Sequence, residues 1–189
     1  MSDAGRGPGR RVERLTELVR GGAPAQPVVF PMVVADHAAR LEGYSVSEAV
    51  TQGDTLARVL YAAYRRYGYD LVLVFADTTV EAEAMGAQVI IPEDDNPFIL
   101  EPARVTRLEP AQPEQDGRMP VVLEATRRLA KLLDGEAPVL VGIKGPFSLA
   151  SFLRGIGDFL EDLLRDPGRA REYLAVALKN QLAYAEAIV

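Results

Sequence analysis

The chain contains three short apolar runs that are rich in valine, leucine and other strand-forming residues. They occupy residues 27–34 (PVVFPMVV), 70–77 (DLVLVFAD) and 137–146 (APVLVGIKGP). Short continuous apolar runs bounded by proline, glycine or aspartate predict strands that are buried on both faces. Between these runs, apolar residues recur at helical spacing, which predicts amphipathic helices. Helices are predicted over residues 10–20, 53–67, 79–85, 119–133 and from Pro167 onward.

Local signals mark several ends of these helices. Ser45 and Glu48 have the spacing of a capping box, and Asp166 stands where an N-cap precedes proline at the first helical position. Gly86 predicts the end of the 79–85 helix, and Gly155 an interruption of the helix that starts near Pro146. The apolar stripes of the first and last helices are expected to face the core: Val12, Leu15, Leu18 and Val19 in the first, and Ala170, Tyr173, Leu174, Ala177, Leu178, Ala185 and Ile188 in the last.

Buried strands that alternate with amphipathic helices predict parallel βα units, with the three strands adjacent and the helices outside. A (β/α) barrel and a doubly wound sheet both fit this alternation. Two extended arms around a turn at residues 94–97 and a polar loop over 104–118 complete the pattern. The last helix ends at Ile188–Val189 without a glycine stop, so the chain is expected to end in mid-fold, with a natural C-terminal helix as the alternative.

Composition narrows the class of protein. Apolar residues make up 48% of the 189 residues and charged residues 25%, which is typical of a globular domain. The net charge of −6 disfavours nucleic acid and anionic membranes as partners, and no apolar run approaches the length of a membrane-spanning helix. Residues 1–10 are expected to be a disordered tail and not a signal peptide. A cytoplasmic protein fits these features.

Two residue types limit the metal chemistry of the chain. The sequence contains no cysteine, and His37 is its only histidine. Zinc in proteins is held mainly by thiolates and imidazoles. No metal site is therefore expected within the chain, and added zinc should bind no more tightly than micromolar.

Four segments, in order along the chain, resemble one enzyme family. VVFPMVVADHAARLEGYSVSEAV is similar to the first strand and following loop of methylcobamide:coenzyme M methyltransferases, and YGYDLVLVFADTTVEAEAMGAQVIIPEDDNPFILEP to their second strand, helix and arms. KGPFSLASFLRG resembles a turn that these enzymes share with uroporphyrinogen decarboxylases, and DFLEDLLRDPGRAREYL resembles the helix pair that follows. Together they resemble the uroporphyrinogen decarboxylase superfamily, in its methyltransferase branch.

The resemblance implies the N-terminal half of a (β/α)8 TIM barrel over residues 11–189, an incomplete barrel of about three to four βα units. The implied activity transfers a methyl group from a methylcobamide to a thiol that zinc activates. In the family's methyltransferases a His-x-Cys pair and a later cysteine hold that zinc in the C-terminal half, and this chain has neither. The chain alone is therefore expected to bind no cofactor and to be inactive. A second polypeptide with the C-terminal half and a corrinoid protein are its expected partners, and an open strand edge is expected to favour self-association or such a partner.

Two residues are candidates for catalysis. Asp77 ends the second predicted strand, at the face where barrel enzymes carry their active sites. It is a candidate acid, base or substrate ligand, with capping of the next helix as the alternative. In the decarboxylases the matching aspartate faces the substrate's pyrrole nitrogens. His37 follows the first predicted strand and is a candidate proton shuttle, with a structural loop histidine as the alternative.

Four residues are candidates for substrate binding. Phe147 and Phe152 could line a pocket, although aromatic residues at this spacing more often belong to a core. Ser148 is a candidate ligand or, more simply, the cap of the next helix. Glu81 lies with Glu83 on the short helix, where one of the two could face the site. The alternative for each is a solvated charge at a helix start.

Two departures from the decarboxylases argue against porphyrinogen decarboxylation. Where those enzymes carry an arginine-rich R-Q-A-G-R-Y segment that binds substrate carboxylates, this chain has ADHAARLEGY, in which Arg40 is the only arginine. A decarboxylase tyrosine near the position of Phe152 has no hydroxyl counterpart here. Lys144, at a strand end, receives no role. A decarboxylase and a non-catalytic binding module of the same fold remain the alternative functions.

Overall fold

The structure is a computed structural model that describes residues 10–31, 34–103 and 108–189 as an α/β fold. In chain order the elements of the described residues are α1 (Arg10–Val19), α2 (Ala35–Glu42), α3 (Val46–Thr51), α4 (Gly53–Tyr67), β1 (Val72–Val74), α5 (Val80–Ala84), β2 (Gln88–Ile90), β3 (Phe98–Glu101), α6 (Met119–Leu133), β4 (Val139–Val141), α7 (Pro146–Arg154), α8 (Ile156–Arg165) and α9 (Pro167–Ile188).

Strands β1 and β4 pair in parallel and form the centre of the fold. Val72 stands opposite Val139 and Val74 opposite Val141. Helix α4 packs against α6, and both helices contact the strand pair. The parallel arrangement confirms the prediction for the 70–77 and 137–146 runs, although the side chains of β4 are only half-buried.

The predicted strand over residues 27–34 is wrong for residues 27–31, which have no strand structure; residues 32 and 33 lie outside the described residues. One backbone hydrogen bond, from the Asp70 N–H to the Val29 carbonyl at 3.1 Å, links this segment to the start of β1. Pro27 and Pro31 flank the run and have no N–H to donate, so a regular ladder cannot extend through them.

The two predicted arms form a β-hairpin, because β2 and β3 pair antiparallel around the 94–97 turn. The predicted interruption of the following helical region is also present, since Gly155 separates α7 from α8 with φ +91. A Cβ added at Gly155 would lie 3.1 Å from Cγ of Pro102, the residue that follows β3. A side chain at this position would therefore be strained twice, by the backbone angle and by the hairpin.

Several predicted core faces differ from those in the structure. In α1 the apolar residues Val12, Leu18 and Val19 are exposed, and Arg11 is the buried residue instead. Helix α1 docks through arginines because Asp70 and Glu136 face it, as described below. In α9, Leu178 is 47% exposed, whereas three polar or amphipathic residues are buried: Asn180, Gln181 and Tyr184.

Helix α2 was not predicted. It follows Val34, which makes no side-chain cap, and it ends at Gly43 in the left-handed conformation. Without a capping residue the start of a helix has no sequence signal beyond its short apolar face. In contrast, the capping box of Ser45 and Glu48 forms at α3 as predicted, and Asp166 caps α9 by accepting from the Arg169 N–H.

Within the part of the chain that the structure describes, no helix combines the length and the hydropathy that a membrane crossing requires.

Candidate functional site

A cluster of polar side chains lies where β1 and β4 end. We call it the strand-end cluster; its members are Asp77, Glu81, Arg118, Lys144 and Gln181. Asp77 follows β1, Lys144 follows β4, and the other three come from α5, from the residue before α6 and from α9. Because the carboxyl ends of parallel strands meet at one edge, residues far apart in sequence converge here.

Asp77 is neutralised within the chain. Its side chain is 5% exposed, and Oδ1 accepts hydrogen bonds from the Thr79 N–H at 2.7 Å and the Thr79 hydroxyl at 2.6 Å. The Arg118 guanidinium donates to both carboxylate oxygens. Buried charges persist when they are paired and fully hydrogen-bonded, and this carboxylate meets both conditions.

Arg118 binds four residues in three segments of the chain at once. Besides Asp77, its Nε donates to Glu83 at 2.6 Å, its Nη2 to the Thr79 hydroxyl at 2.8 Å, and its Nη1 to the Val50 carbonyl at 3.4 Å. Burial works to lower the pKa of Arg118, but the hydrogen bond and the charge of Asp77 outweigh it, so the pKa is raised. The guanidinium is therefore a permanent cation that fixes the loop after β1.

Gly117 allows Arg118 to approach. Its φ is +52, and a Cβ at this position would lie 2.9 Å from the backbone N and Cα of Ala84 in α5. No L-residue side chain fits there without displacement of α5. The glycine thus brings the start of α6 close to α5, which sets the Arg118 guanidinium over Asp77.

Glu81 is buried, which contradicts the alternative of a solvated charge. It is 3% exposed, and its Oε1 accepts from the Lys144 backbone N–H at 2.8 Å and from Gln181 Nε2 at 3.3 Å. Gln181 Nε2 also donates to the Lys144 carbonyl at 2.6 Å. The backbone of Lys144 is therefore held on both sides by side chains. Glu83 is partly exposed and pairs with Arg118.

The Lys144 amine has an unusual environment. Its Nζ lies 4.5 Å from the centroid of the Phe152 ring, and among the described residues it forms no salt bridge and no hydrogen bond. Burial lowers the pKa of Lys144, and the charges of Glu81 and Asp77 only partly oppose that effect. The amine is therefore more readily neutral than a surface lysine.

Helix α9 supplies the wall of the cluster. Asn180 accepts from the Ala111 N–H at 2.9 Å and donates to Gln181 at 3.1 Å, which orients the Gln181 amide. Tyr184 is 1% exposed. Burial raises the pKa of Tyr184, and the charges of Glu81 and Asp77 raise it further, so the hydroxyl stays protonated. It can serve only as a neutral donor or acceptor.

An apolar groove of about 380 Å³ opens beside the cluster. The β2–β3 hairpin forms one side and α7 the other, with Phe152 and Thr79 connecting the groove to Lys144 and Asp77. None of its lining residues is charged. They are Thr78, Thr79, Pro97, Phe98, Ile99, Leu100, Pro102, Ser151, Phe152, Gly155 and Ile156.

Among the residues predicted from sequence, the structure brings Asp77, Glu81 and Phe152 to this site. His37 lies in α2, where its Nε2 is 2.9 Å from the Tyr67 hydroxyl. Tyr67 ends α4, which leads into the other end of β1 from Asp77. His37 and Asp77 are thus not in contact.

The remaining two predicted residues lie on α7. Phe147 is 50% exposed and packs edge-on against Phe159. Ser148 is exposed inside the helix and does not cap it; the N-cap position is Gly145, with no side-chain bond. Arg40, the arginine of the ADHAARLEGY segment, donates to the Asp94 carbonyl at 2.7 Å.

The sequence analysis missed Arg118, Gln181, Asn180 and Tyr184 and gave Lys144 no role. One signal was available for Arg118, because a glycine immediately before a predicted helix marks a close approach. Asn180, Gln181 and Tyr184 lie in α9 beside the predicted apolar stripe, on positions that the sequence pattern assigns to solvent. Only the tertiary fold shows that these positions face a buried carboxylate.

The chain matches the family model "Uroporphyrinogen decarboxylase (URO-D)" over residues 11–189. Similar proteins include a methylated-thiol–coenzyme M methyltransferase of Methanosarcina mazei, with 28% identity over 132 residues, or 68% of this chain and 36% of that protein. A methylcobamide:CoM methyltransferase of Methanosarcina barkeri is 27% identical over 152 residues, 78% of this chain and 45% of that protein. A uroporphyrinogen decarboxylase of Thermus thermophilus is 36% identical over 118 residues, 59% of this chain and 33% of that protein.

A solved structure of a methyltransferase from Methanosarcina mazei has the same fold. It superposes with a TM-score of 0.85 at 24% identity, over 93% of this chain and 54% of that protein. The chain thus spans about half of that protein, and less than half of each of the three curated relatives.

The donor set of the described residues does not fit zinc. No group of three or more histidine, cysteine, aspartate or glutamate side chains in residues 10–31, 34–103 and 108–189 is arranged to hold a metal ion. The cluster's carboxylates are occupied instead by Arg118, Thr79, Gln181 and the Lys144 N–H.

Proposed function

The chain belongs to the uroporphyrinogen decarboxylase family, and on that premise we propose that it forms part of the substrate-binding face of a corrinoid-dependent methyltransferase. In this proposal a methyl group passes from a methylcobamide to a thiol. The zinc ligands that activate the thiol belong, in this proposal, to residues other than these 189, since the chain has no cysteine. A complementing polypeptide and a corrinoid protein are the proposed partners, and the chain alone is proposed to be inactive.

The observation that carries the choice of methyl transfer is the uncharged groove at the end of β1. A porphyrinogen carries many carboxylates and requires cations to bind them. Among the residues that the structure describes, none that lines the groove is charged, and Arg40 is engaged with a backbone carbonyl. An apolar groove of this size suits one edge of a corrinoid or a small thiol.

The state of Asp77 supports the same choice. In a decarboxylase of this family the matching aspartate would accept hydrogen bonds from pyrrole N–H groups. Here Thr79 and Arg118 already donate to both oxygens of Asp77. A substrate N–H would have to compete with Arg118 and Thr79 for the Asp77 carboxylate, and if it displaced Arg118, Glu83 would be the one carboxylate partner left to that cation among the described residues.

Ligand titrations test the proposal. We expect saturable binding of methylcobalamin by the chain, followed through its absorbance, and no comparable binding of uroporphyrin. Replacing Phe98, an exposed residue of the groove, by serine should weaken methylcobalamin binding because it removes apolar contact area. The matched control is Leu132→Ser, which alters an equally exposed apolar residue on α6 away from the groove.

The alternatives give different results in the same titrations. Uroporphyrin binding that is lost in Asp77→Asn would favour a decarboxylase. Absence of binding for both tetrapyrroles would favour a non-catalytic module of the same fold. Methyl transfer to a thiol by the isolated chain would contradict the proposed need for a partner.

A further inference from the structure

The backbone and the amine of Lys144 are both held in place by neighbouring residues. Its backbone N–H and carbonyl are fixed by Glu81 and Gln181, and its Nζ lies over the Phe152 ring. The other cation of the strand-end cluster, Arg118, is bound to two carboxylates. Among the described residues, the Lys144 amine has no such partner, so it is available to a ligand.

The charges around the amine select the kind of ligand. Within the part of the chain that the structure describes, Asp77, Glu81 and Glu83 contribute three carboxylates, and the cations are Arg118 and Lys144 itself. Negative charge therefore exceeds positive charge by one, and the hydroxyl of Tyr184 is neutral. An anionic ligand would be repelled by this balance, whereas a neutral electrophile would not.

We propose that Lys144 is a carbonyl-binding residue, whose amine forms an imine with a small neutral aldehyde or ketone that enters from the groove. This chemistry is additional to methyl transfer and does not depend on it. The route is short, because Phe152 contacts the amine and lines the groove.

The bonds balance without an oxidant or a reductant. The lone pair of the neutral amine forms the C–N bond while the C=O π electrons move to oxygen, and one N–H proton passes from nitrogen to that oxygen to give a carbinolamine. The second N–H proton then passes to the hydroxyl, which leaves as water while the nitrogen lone pair completes the C=N bond. Glu81 is the proposed proton carrier, because its hydrogen bonds fall on Oε1 and leave Oε2 for exchange.

Reductive trapping tests the proposal within one molecule. The chain has three lysines, and Lys131 and Lys179 are both exposed, so they serve as internal controls. The chain is incubated with acetaldehyde and cyanoborohydride at neutral pH, and N-ethylation of each lysine is measured by peptide mass spectrometry. We expect label on Lys144 in about tenfold excess over each control, a barrier lower by roughly 1.4 kcal/mol.

The excess should disappear when the same labelling is done in concentrated urea, because it depends on the folded site. Equal labelling of the three lysines in the folded chain, or weaker labelling of Lys144, would overturn the proposal. So would an excess that persists in urea, since it would come from local sequence alone.

A matched pair of variants tests the proton carrier. Glu81→Gln should lower the labelling rate of Lys144 toward that of the controls, while Glu172→Gln, at an exposed position of α9, should leave the excess in place. Circular dichroism establishes that both variants are folded. An unchanged excess in folded Glu81→Gln would remove Glu81 from the proposed reaction.

Discussion

A buried aspartate lies at each end of β1, and arginine neutralises both. Asp70, before the strand, is 2% exposed and binds Arg14, with Arg11 at 3.7 Å and the Val29 N–H at 2.7 Å. Asp77, after the strand, is 5% exposed and binds Arg118. The two carboxylates thus have similar burial and the same kind of partner.

The two ends differ in what surrounds each pair. Near Asp70, Arg11 and Tyr64 both bind Glu136, and the polar atoms left without hydrogen bonds, such as the Tyr69 hydroxyl, are sealed from solvent. Near Asp77, the Lys144 amine has no charged partner among the described residues, and an apolar groove is open. The same kind of ion pair therefore belongs to a closed network at one end of β1 and lies beside an open groove at the other.

The sharpest test of this contrast is Asp70→Ala. Removal of Asp70 takes away the carboxylate partner of Arg14 and leaves Arg11 with Glu136 alone, so we expect a loss of about 3–5 kcal/mol in the free energy of unfolding. Urea denaturation measures it. Asp54→Ala is the control, because the exposed Asp54 pairs with Arg58 and Arg128, and its loss should cost at most about 1 kcal/mol. If Asp70→Ala cost no more than Asp54→Ala, the network would not be a stabilising one.

Gly117→Ala should have the next largest effect, and it acts on the other end of β1. The positive φ and the contact with Ala84 together should cost about 2 kcal/mol and shift Arg118 from Asp77. The Lys144 labelling excess should fall at the same time. Gly43→Ala isolates the contact, since Gly43 also has a positive φ, +76, but nothing lies within 4 Å of its Cβ position. Equal losses in both variants would show that the approach to α5 carries no energy.

The sequence predicted most elements but little of this contrast. The β1 and β4 runs, the hairpin and the Gly155 break follow from local patterns that leave few alternatives. Burial of Arg11 in place of Val12 does not, because charge partners distant in sequence decide which face of α1 docks. Asp77 was predicted as a site residue from its strand-end position, whereas its partner Arg118 depends on a contact 41 residues away.

Tyr64, near one end of β1, and Lys144, near the other, should make alkaline contributions of opposite sign to the free energy of unfolding. Burial, together with the hydrogen bond to Glu136, raises the pKa of Tyr64 to about 12. The unfolded chain loses this proton first, so stability should fall as pH rises from about 10 to about 12. The pKa of Lys144 is lowered by folding, so as the pH rises the folded chain loses this proton before the unfolded chain does. The free energy of unfolding should therefore rise as the pH approaches about 10.5.

Two variants separate these contributions. Tyr64→Phe should cost about 1 kcal/mol at neutral pH through the lost hydrogen bond, and it should flatten the alkaline fall. Lys144→Met should instead remove the rise below about pH 10. Urea denaturation from about pH 8 to about pH 11 measures both slopes. Identical slopes in the two variants would contradict the assignment of these groups.

The smallest expected effect belongs to Phe152→Leu. The ring's attraction for the Lys144 ammonium is lost while most of the apolar area is kept, so we expect a cost of about 0.5 kcal/mol. Phe147→Leu serves as the control, because Phe147 contacts Phe159 and not Lys144. Thermal unfolding of both variants compares their stabilities. If Phe152→Leu were as stable as the wild type, the contact between the amine and the ring would contribute nothing measurable to stability.

The four residues that Arg118 joins are distant from it in sequence, and this separation has a consequence for the order in which the chain folds. Its bonds to Glu83, Thr79, Asp77 and Val50 close loops of 35, 39, 41 and 68 residues. Such closures cost chain entropy before any bond offsets it, so we expect the helices and the hairpin to form first. We expect Arg118 to dock after the main barrier, so that its replacement accelerates unfolding while the folding rate changes little, which stopped-flow kinetics in urea would measure. The residue that fixes the site is thus also expected to slow the unfolding of the chain.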